Sequence, residues 1–232
     1  MVVPRVGEVV MAKRRGSRNL RITITAAGQI RVAMPQWTPY AAGIIFVQKH
    51  EGWIRQQLKS HSPSYITDGA LVGRHHRVSI KSRPHAAKTT IRVSRDKISA
   101  NTFLPVENSE MQEQLIKAAE RALKQEAEII LPKRLKLLSN QHGISYGSLR
   151  IRKMTSRWGS CSSKKNISLS YYLVQLPDEL VDYVLLHELA HTIHHNHGKQ
   201  FWAFMDEKLP DAKRLKKDIK THRPRVEPST KA

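Results

Sequence analysis

The chain has 232 residues, 25% of them charged and 40% apolar, which is enough to bury one large core or two small ones. A single cysteine, Cys161, excludes an internal disulfide, and no run approaches the roughly 18 to 20 apolar residues of a membrane span or the layout of a secretory leader. Forty Lys plus Arg against nineteen Asp plus Glu give a formal charge of +21, a field that concentrates polyanions without selecting one. A cytoplasmic protein with no membrane association is expected, and nothing in the pattern selects an oligomeric state.

Residues 20–25 and 29–34 alternate apolar and polar side chains around Gly28, which predicts a hairpin ended by Pro35. Ile44, Ile45, Val47, Trp53, Ile54 and Leu58 space one or two amphipathic helices over 40–58, with Gly52 a weak point. Residues 61–65 read as a loop, 71–80 and 89–93 read as strands, and no internal repeat is evident. A long helical pattern from Glu107 through Ala118, Ala122 and Ile130 is expected to kink or break at Pro132, with the following helix closed by Gly143.

Residues 149–154 and 167–174 read as strands flanking a Gly- and Ser-rich turn over 157–163. Pro177 and Asp178 open a helix expected to run to about His195, since proline fits a first turn and a carboxylate there meets the positive end of the dipole. A shorter helix after Gly198 carries Phe201, Trp202, Phe204 and Met205, aromatic residues suited to a core. The expected fold class is α+β: a strand-rich N-terminal domain over 1–104, a helical and short-sheet domain over 105–220, and a disordered basic tail over 221–232.

His187, Glu188 and His191 spell H-E-x-x-H within the expected 177–195 helix. Two histidines four residues apart share one helix face and can reach a single zinc ion, while Glu188 lies beside the metal, placed to take a proton from water. A catalytic zinc takes three protein ligands, so His194 and His197 compete for the third place. His194 sits roughly 10 Å further along the axis than His187. His197 returns if the chain turns at Asn196 or Gly198, residues that tolerate left-handed backbone, and it is the expected third ligand. His194 and His195 are then read as solvated or supporting residues, and Cys161 as a simple buried thiol.

HELAHTIHHNHGKQFW over 187–202, with RWGSCS over 157–162, resembles the YgjP-like zinc metallopeptidases, which are related to WLM and SprT-type minimal zincins. The resemblance implies a zincin-like core over 105–220, zinc held by His187, His191 and His197, and Glu188 as the catalytic acid/base. The ligand spacing is also that of metzincins, but His194 stands where they carry glycine and no Met-turn is identified, so the turn toward His197 is expected later in the chain. The implied reaction is peptide-bond hydrolysis by a zinc-activated water, with Glu188 accepting the proton and returning it to the departing amine. Arg157, Tyr171 and Tyr172 are candidate oxyanion stabilisers, and 167–174 is a candidate edge strand for an extended peptide.

Two rival readings follow from the same residues. One is a metal-dependent hydrolase of a nucleotide or another non-peptide substrate. The other is a basic nucleic-acid-associated protein with a structural zinc. The protein or peptide substrate is the main expected partner, and a nucleic acid held by the basic surface is the second. The basic ends and the resemblance to SprT-type enzymes motivate the latter, although no zinc finger, helix-turn-helix or RNA-binding signature accompanies them.

Overall fold

Alternating apolar residues need a partner surface on one face only, and the first of them build a small sheet. A computed structural model describes residues 1–24, 28–60 and 65–227, with residues 59 and 60 described at the backbone only. Its first compact unit is Met1–Tyr65. Strands β1 (Val2–Val3), β2 (Gly7–Arg14), β3 (Arg21–Ile24) and β4 (Ile30–Pro35) form a sheet in the order β1-β2-β4-β3. The expected hairpin is the antiparallel β3–β4 pair, registered Ile22 to Val32 and Ile24 to Ile30. Its residues 25–27, and residues 61–64 of the expected loop, lie outside the described residues. Helices α1 (Tyr40–Lys49) and α2 (Glu51–Ser60) follow, separated at His50 instead of Gly52. Val3, Val9, Ile30, Val32, Val47 and Ile54 form this unit's core.

The second unit, Ile66–Ala232, opens with β5 (Leu71–Val72), β6 (His76–Ser82), β7 (Thr90–Val93) and β8 (Lys97–Thr102). Their order is β5-β6-β8-β7, with outer pairs antiparallel and the central pair parallel. The first sheet has the same order and the same three pairings. The chain therefore repeats a four-strand topology that its sequence does not advertise. β2 and β8 escape the sequence reading because GEVVMAKR and KISANT dilute their apolar faces with small and charged residues.

Helix α3 (Ser109–His142) is continuous for 34 residues. Asn108 caps it by accepting from the Glu110 and Met111 amides at 2.9 and 3.2 Å, and Gly143 ends it in left-handed backbone at φ 65°. Pro132 neither ends nor divides this helix, contrary to the sequence expectation. The lost amide and ring clash cost about 3 kcal/mol. They are offset by tertiary burial on both sides of the proline, where Ala127, Leu131, Leu135 and Leu138 are all in the core.

The same core takes in the β5–β8 sheet, so the compact units meet at Tyr65 and not near residue 104. Polar ties explain this. Glu126 of α3 accepts from the Arg74 and His75 amides at 2.7 and 3.0 Å and lies 2.6 Å from His76 Nδ1, while Gln112 exchanges hydrogen bonds with the Ile66 backbone. These bonds tie the strands to the long helix.

Strands β9 (Leu149–Arg152), β10 (Gly159–Cys161) and β11 (Ile167–Ser170) form a third sheet in the order β10-β11-β9. The expected strand over 167–174 is thus shorter, because Tyr171–Gln175 turns into a 3-10 helix. Helices α4 (Asp178–Ala190), α5 (Lys199–Lys208) and α6 (Ala212–Asp218) complete the unit. Part of the expected disordered tail is tied down: Gln175 donates to the Arg225 carbonyl at 2.8 Å and accepts from the Glu227 amide at 2.9 Å. Residues 228–232 of that tail lie outside the described residues. No described helix is long and apolar enough to cross a membrane.

Candidate active site

Helix α4 carries Asp178 and Glu179 in its first turn, where carboxylates meet the helix dipole, and buries Leu180, Val181, Val184, Leu185, Leu186 and Leu189. Being apolar on nearly all sides, it is a core helix, and the polar residues at its C-terminal end are held by rigid surroundings. It stops at Ala190, earlier than its sequence predicts. The Thr192 hydroxyl donates to the Leu189 carbonyl at 2.8 Å, supplying locally a bond that a continuing helix would draw from later amides. Because the exit begins here, no left-handed residue is needed: Gly198 has φ −74°, and Asn196 is not among the residues of positive φ. The expected left-handed turn at Asn196 or Gly198 is therefore replaced by an earlier bend.

That bend brings three imidazoles together. The Nε2 atoms of His187, His191 and His197 form a triangle with sides of 3.2, 3.2 and 3.1 Å. Tetrahedral zinc with Zn–N distances of about 2.0 to 2.1 Å needs ligand nitrogens roughly 3.3 Å apart. Hydrogen bonding alone serves such a triangle badly, since a neutral imidazole has one donor and one acceptor nitrogen. His191 Nδ1 lies 3.0 Å from the His194 carbonyl, so its proton belongs there and Nε2 offers a lone pair. Burial lowers the His187 pKa to about 3, with His191 and His197 adding to the effect, and burial also lowers that of His191. Neutral rings with converging lone pairs are what a metal ion requires.

The rings are oriented by apolar contacts. Buried Phe201 packs against all three, with centroid separations of 4.9, 4.7 and 4.8 Å. Trp202 stacks on His197 at 5.8 Å, and the Lys216 ammonium sits 3.5 Å from the Trp202 ring centre. His194 is not part of the triangle. It serves through its main-chain oxygen, while its ring touches Phe204.

Glu188 is 5% exposed and faces the same cleft, a cavity of about 520 Å³ that Arg157, Ser160, Cys161 and His195 also line. Burial pushes its carboxyl up to about 8, with the Arg157 guanidinium pulling the other way, and its Oε2 is buried without a partner among the described residues. The model of the YgjP-like metallopeptidase domain family matches residues 18–222. The chain belongs to the YgjP-like metallopeptidase family. Among solved structures it is similar to the abylysin metallopeptidase zymogen of Pyrococcus abyssi, with 26% identity, 40% of this chain and 93% of that chain covered, and a TM-score of 0.36. It is also similar to the jannalysin metallopeptidase zymogen of Methanocaldococcus jannaschii, with 23% identity, 39% and 93% covered, and a TM-score of 0.35. No curated protein sequence matches it.

The YgjP-like cleft differs in detail from the sequence expectation. Of the three oxyanion candidates only Arg157 lines it. Tyr171 and Tyr172 are buried in the 3-10 helix, and the Tyr172 hydroxyl donates to Glu120 at 2.6 Å. β11 is a central strand, and the free edge beside the cleft belongs to β10. The Ser170 amide donates to Trp158 and the Ser162 amide to Asn166, so the even-numbered residues around β10 make the closely bonded pairs with β11. The alternation turns the backbone groups of Gly159 and Cys161 toward the open side. Burial and the nearby Glu188 both push the Cys161 thiol up, away from thiolate character.

Gly159 lines the cleft at a position that sequence reasoning passes over. A Cβ there would stand 2.6 Å from Glu188 Oε1 and 2.7 Å from its Cγ. Because the obstructed atoms all belong to one side chain and none to the backbone, Gly159→Ala is expected to keep fold and metal while turning the whole Glu188 arm away. A fall of about a hundredfold in kcat/KM is expected, the scale of a 1 Å misplacement, against a thermal unfolding curve that barely moves.

Proposed function

We propose that this YgjP-like protein is a zinc peptidase in which His187, His191 and His197 hold the ion and Glu188 is the general base and then the general acid. The observation that carries this reading is the 3.1 to 3.2 Å triangle of Nε2 atoms with a buried carboxylate one residue along the helix from the first ligand. When bound, zinc supplies Lewis acidity to water and to the scissile carbonyl. Glu188 removes the proton of the attacking water and returns it to the departing amine, a role suited to a carboxyl whose pKa is raised toward neutrality. Arg157 places positive charge beside the carbonyl oxygen as charge develops there. Gly159 and Cys161 offer backbone donors and acceptors that hold the substrate extended along β10.

The experiment is chelation followed by titration with zinc, with cleavage of a casein-like protein and of a nucleoside triphosphate measured in parallel. Cleavage of the protein alone, lost on chelation and restored by about one equivalent of zinc, is the expected result. Hydrolysis of the nucleotide alone, or no recovery with zinc, would reject the proposal.

A further inference from the structure

The cleft's edge strand has a second face. Alternation along the sheet puts Ser160 of β10, Ser168 of β11 and Arg150 of β9 in one row, since Ser160 pairs with Ser168 and Ser168 with Arg150. Arg152 lies two residues along β9 on the same face. Together with Ser162 and Asn166 these side chains line a groove of about 290 Å³. Ser160 and Cys161 line both this groove and the catalytic cleft, so β10 is the wall between them.

The groove carries charge without compensation. Residues 143–177 include six Lys or Arg and no Asp or Glu. Of the six, only Lys153 has an ion-pair partner among the described residues, Glu120. Arg150 and Arg152 are exposed and make no hydrogen bond or ion pair with the described residues. Two free guanidiniums above a floor of serines are an acceptor site for carboxylates, which they can bind bidentately.

Resting on the peptidase reading, we infer that this groove selects acidic substrate segments. An extended peptide paired with Gly159 and Cys161 places alternate side chains over the serine and arginine face, beginning with the residue opposite Ser160. The distance is bridgeable. Three strand spacings separate the peptide from β9, about 14 Å. Extended arginine and glutamate side chains with a hydrogen bond between them span about 15 Å. In the row of Arg150, serine at both intervening positions leaves the path open, where a larger side chain would block it. A peptide is favoured over a nucleic acid because the groove opens on the strand edge that the backbone of a substrate would occupy.

The test uses the full-length, zinc-loaded protein and three labelled peptides identical except for Ala, Glu or Lys at two positions two residues apart. Binding by fluorescence anisotropy and cleavage are read separately, for the wild type and for the exposed double variant Arg150→Ser, Arg152→Ser. About tenfold tighter binding of the Glu peptide than the Ala peptide is expected at low salt, with weaker binding of the Lys peptide and a Glu-to-Ala ratio near one in the variant. Equal binding of Glu and Ala peptides, or a Glu preference that survives in the variant, would overturn the inference. So would a single-stranded oligonucleotide that outcompetes the Glu peptide through the same two arginines. Failure to cleave any of the peptides counts against the peptidase reading, while the binding ratio still decides this one.

Discussion

Replacing Glu188 with glutamine is expected to lower kcat by about 10² to 10⁴-fold while the protein keeps one zinc per chain, because the amide occupies the same space and cannot accept a proton. Metal content by elemental analysis and single-turnover cleavage check both halves of that statement. The same variant has a second, opposite consequence. In the chelated protein burial pushes the Glu188 carboxyl up to about 8 from an ordinary value of 4.5. Between those pH values the folded chain holds a proton that the unfolded chain has released, so stability falls as pH rises through that window. Glutamine removes that dependence. Chelated Glu188→Gln is therefore expected to exceed chelated wild type in stability at pH 8 to 9 by on the order of a few kcal/mol, and to match it near pH 4.5. Urea unfolding at the two pH values measures the difference. A variant that loses catalysis and gains stability identifies a buried charge retained for chemistry.

The second large effect concerns the histidines. His197→Ala removes one corner of the Nε2 triangle, and zinc affinity is expected to fall by more than about a hundredfold, beyond the loss seen when only an outer hydrogen-bond partner of a ligand is removed. His194→Ala is expected to retain zinc within a few fold. His194 supports His191 with its main-chain carbonyl, which alanine also has, and not with its ring. Competition against a zinc-binding chromophore distinguishes these outcomes. Equal losses in both variants would show that the ring at His194 contributes as much as that of His197, and a loss confined to His194→Ala would reject His197 as the third ligand.

A short bend brings the three imidazoles together without special backbone. His197 has no helix of its own behind it, and its ring is stacked on Trp202, itself covered by the Lys216 ammonium from α6. Phe201 fills the space under all three rings. The segment after Gly198 thus supplies packing on which the position of the His197 ring depends, and the sequence reading of these aromatics as core residues agrees with Phe201, which is 1% exposed.

The face shared by His187 and His191, with Glu188 beside them, was legible in the residue order because a helix converts spacing into direction. The strands on either side of RWGSCS were legible for a similar reason, since alternation at period two survives in 149–152 and 167–170. What escaped depended on partners distant in sequence. Pro132 lies inside one unbroken helix because burial outweighs its local cost, and the β5–β8 sheet joins the second unit because Glu126 and Gln112 of α3 hold it there. The repeated strand order cannot be read from residues whose apolar content is so diluted.

The sequence by itself placed His187 and His191 on one helix face with Glu188 beside them, since helical periodicity is a property of consecutive residues. Only the tertiary structure decided how His197 joins them, which strand forms the free edge of the cleft, what crowds residue 159, and which face of the sheet carries Arg150 and Arg152. Each of these depends on what packs against a residue from elsewhere in the chain, and spacing along the backbone carries no record of that.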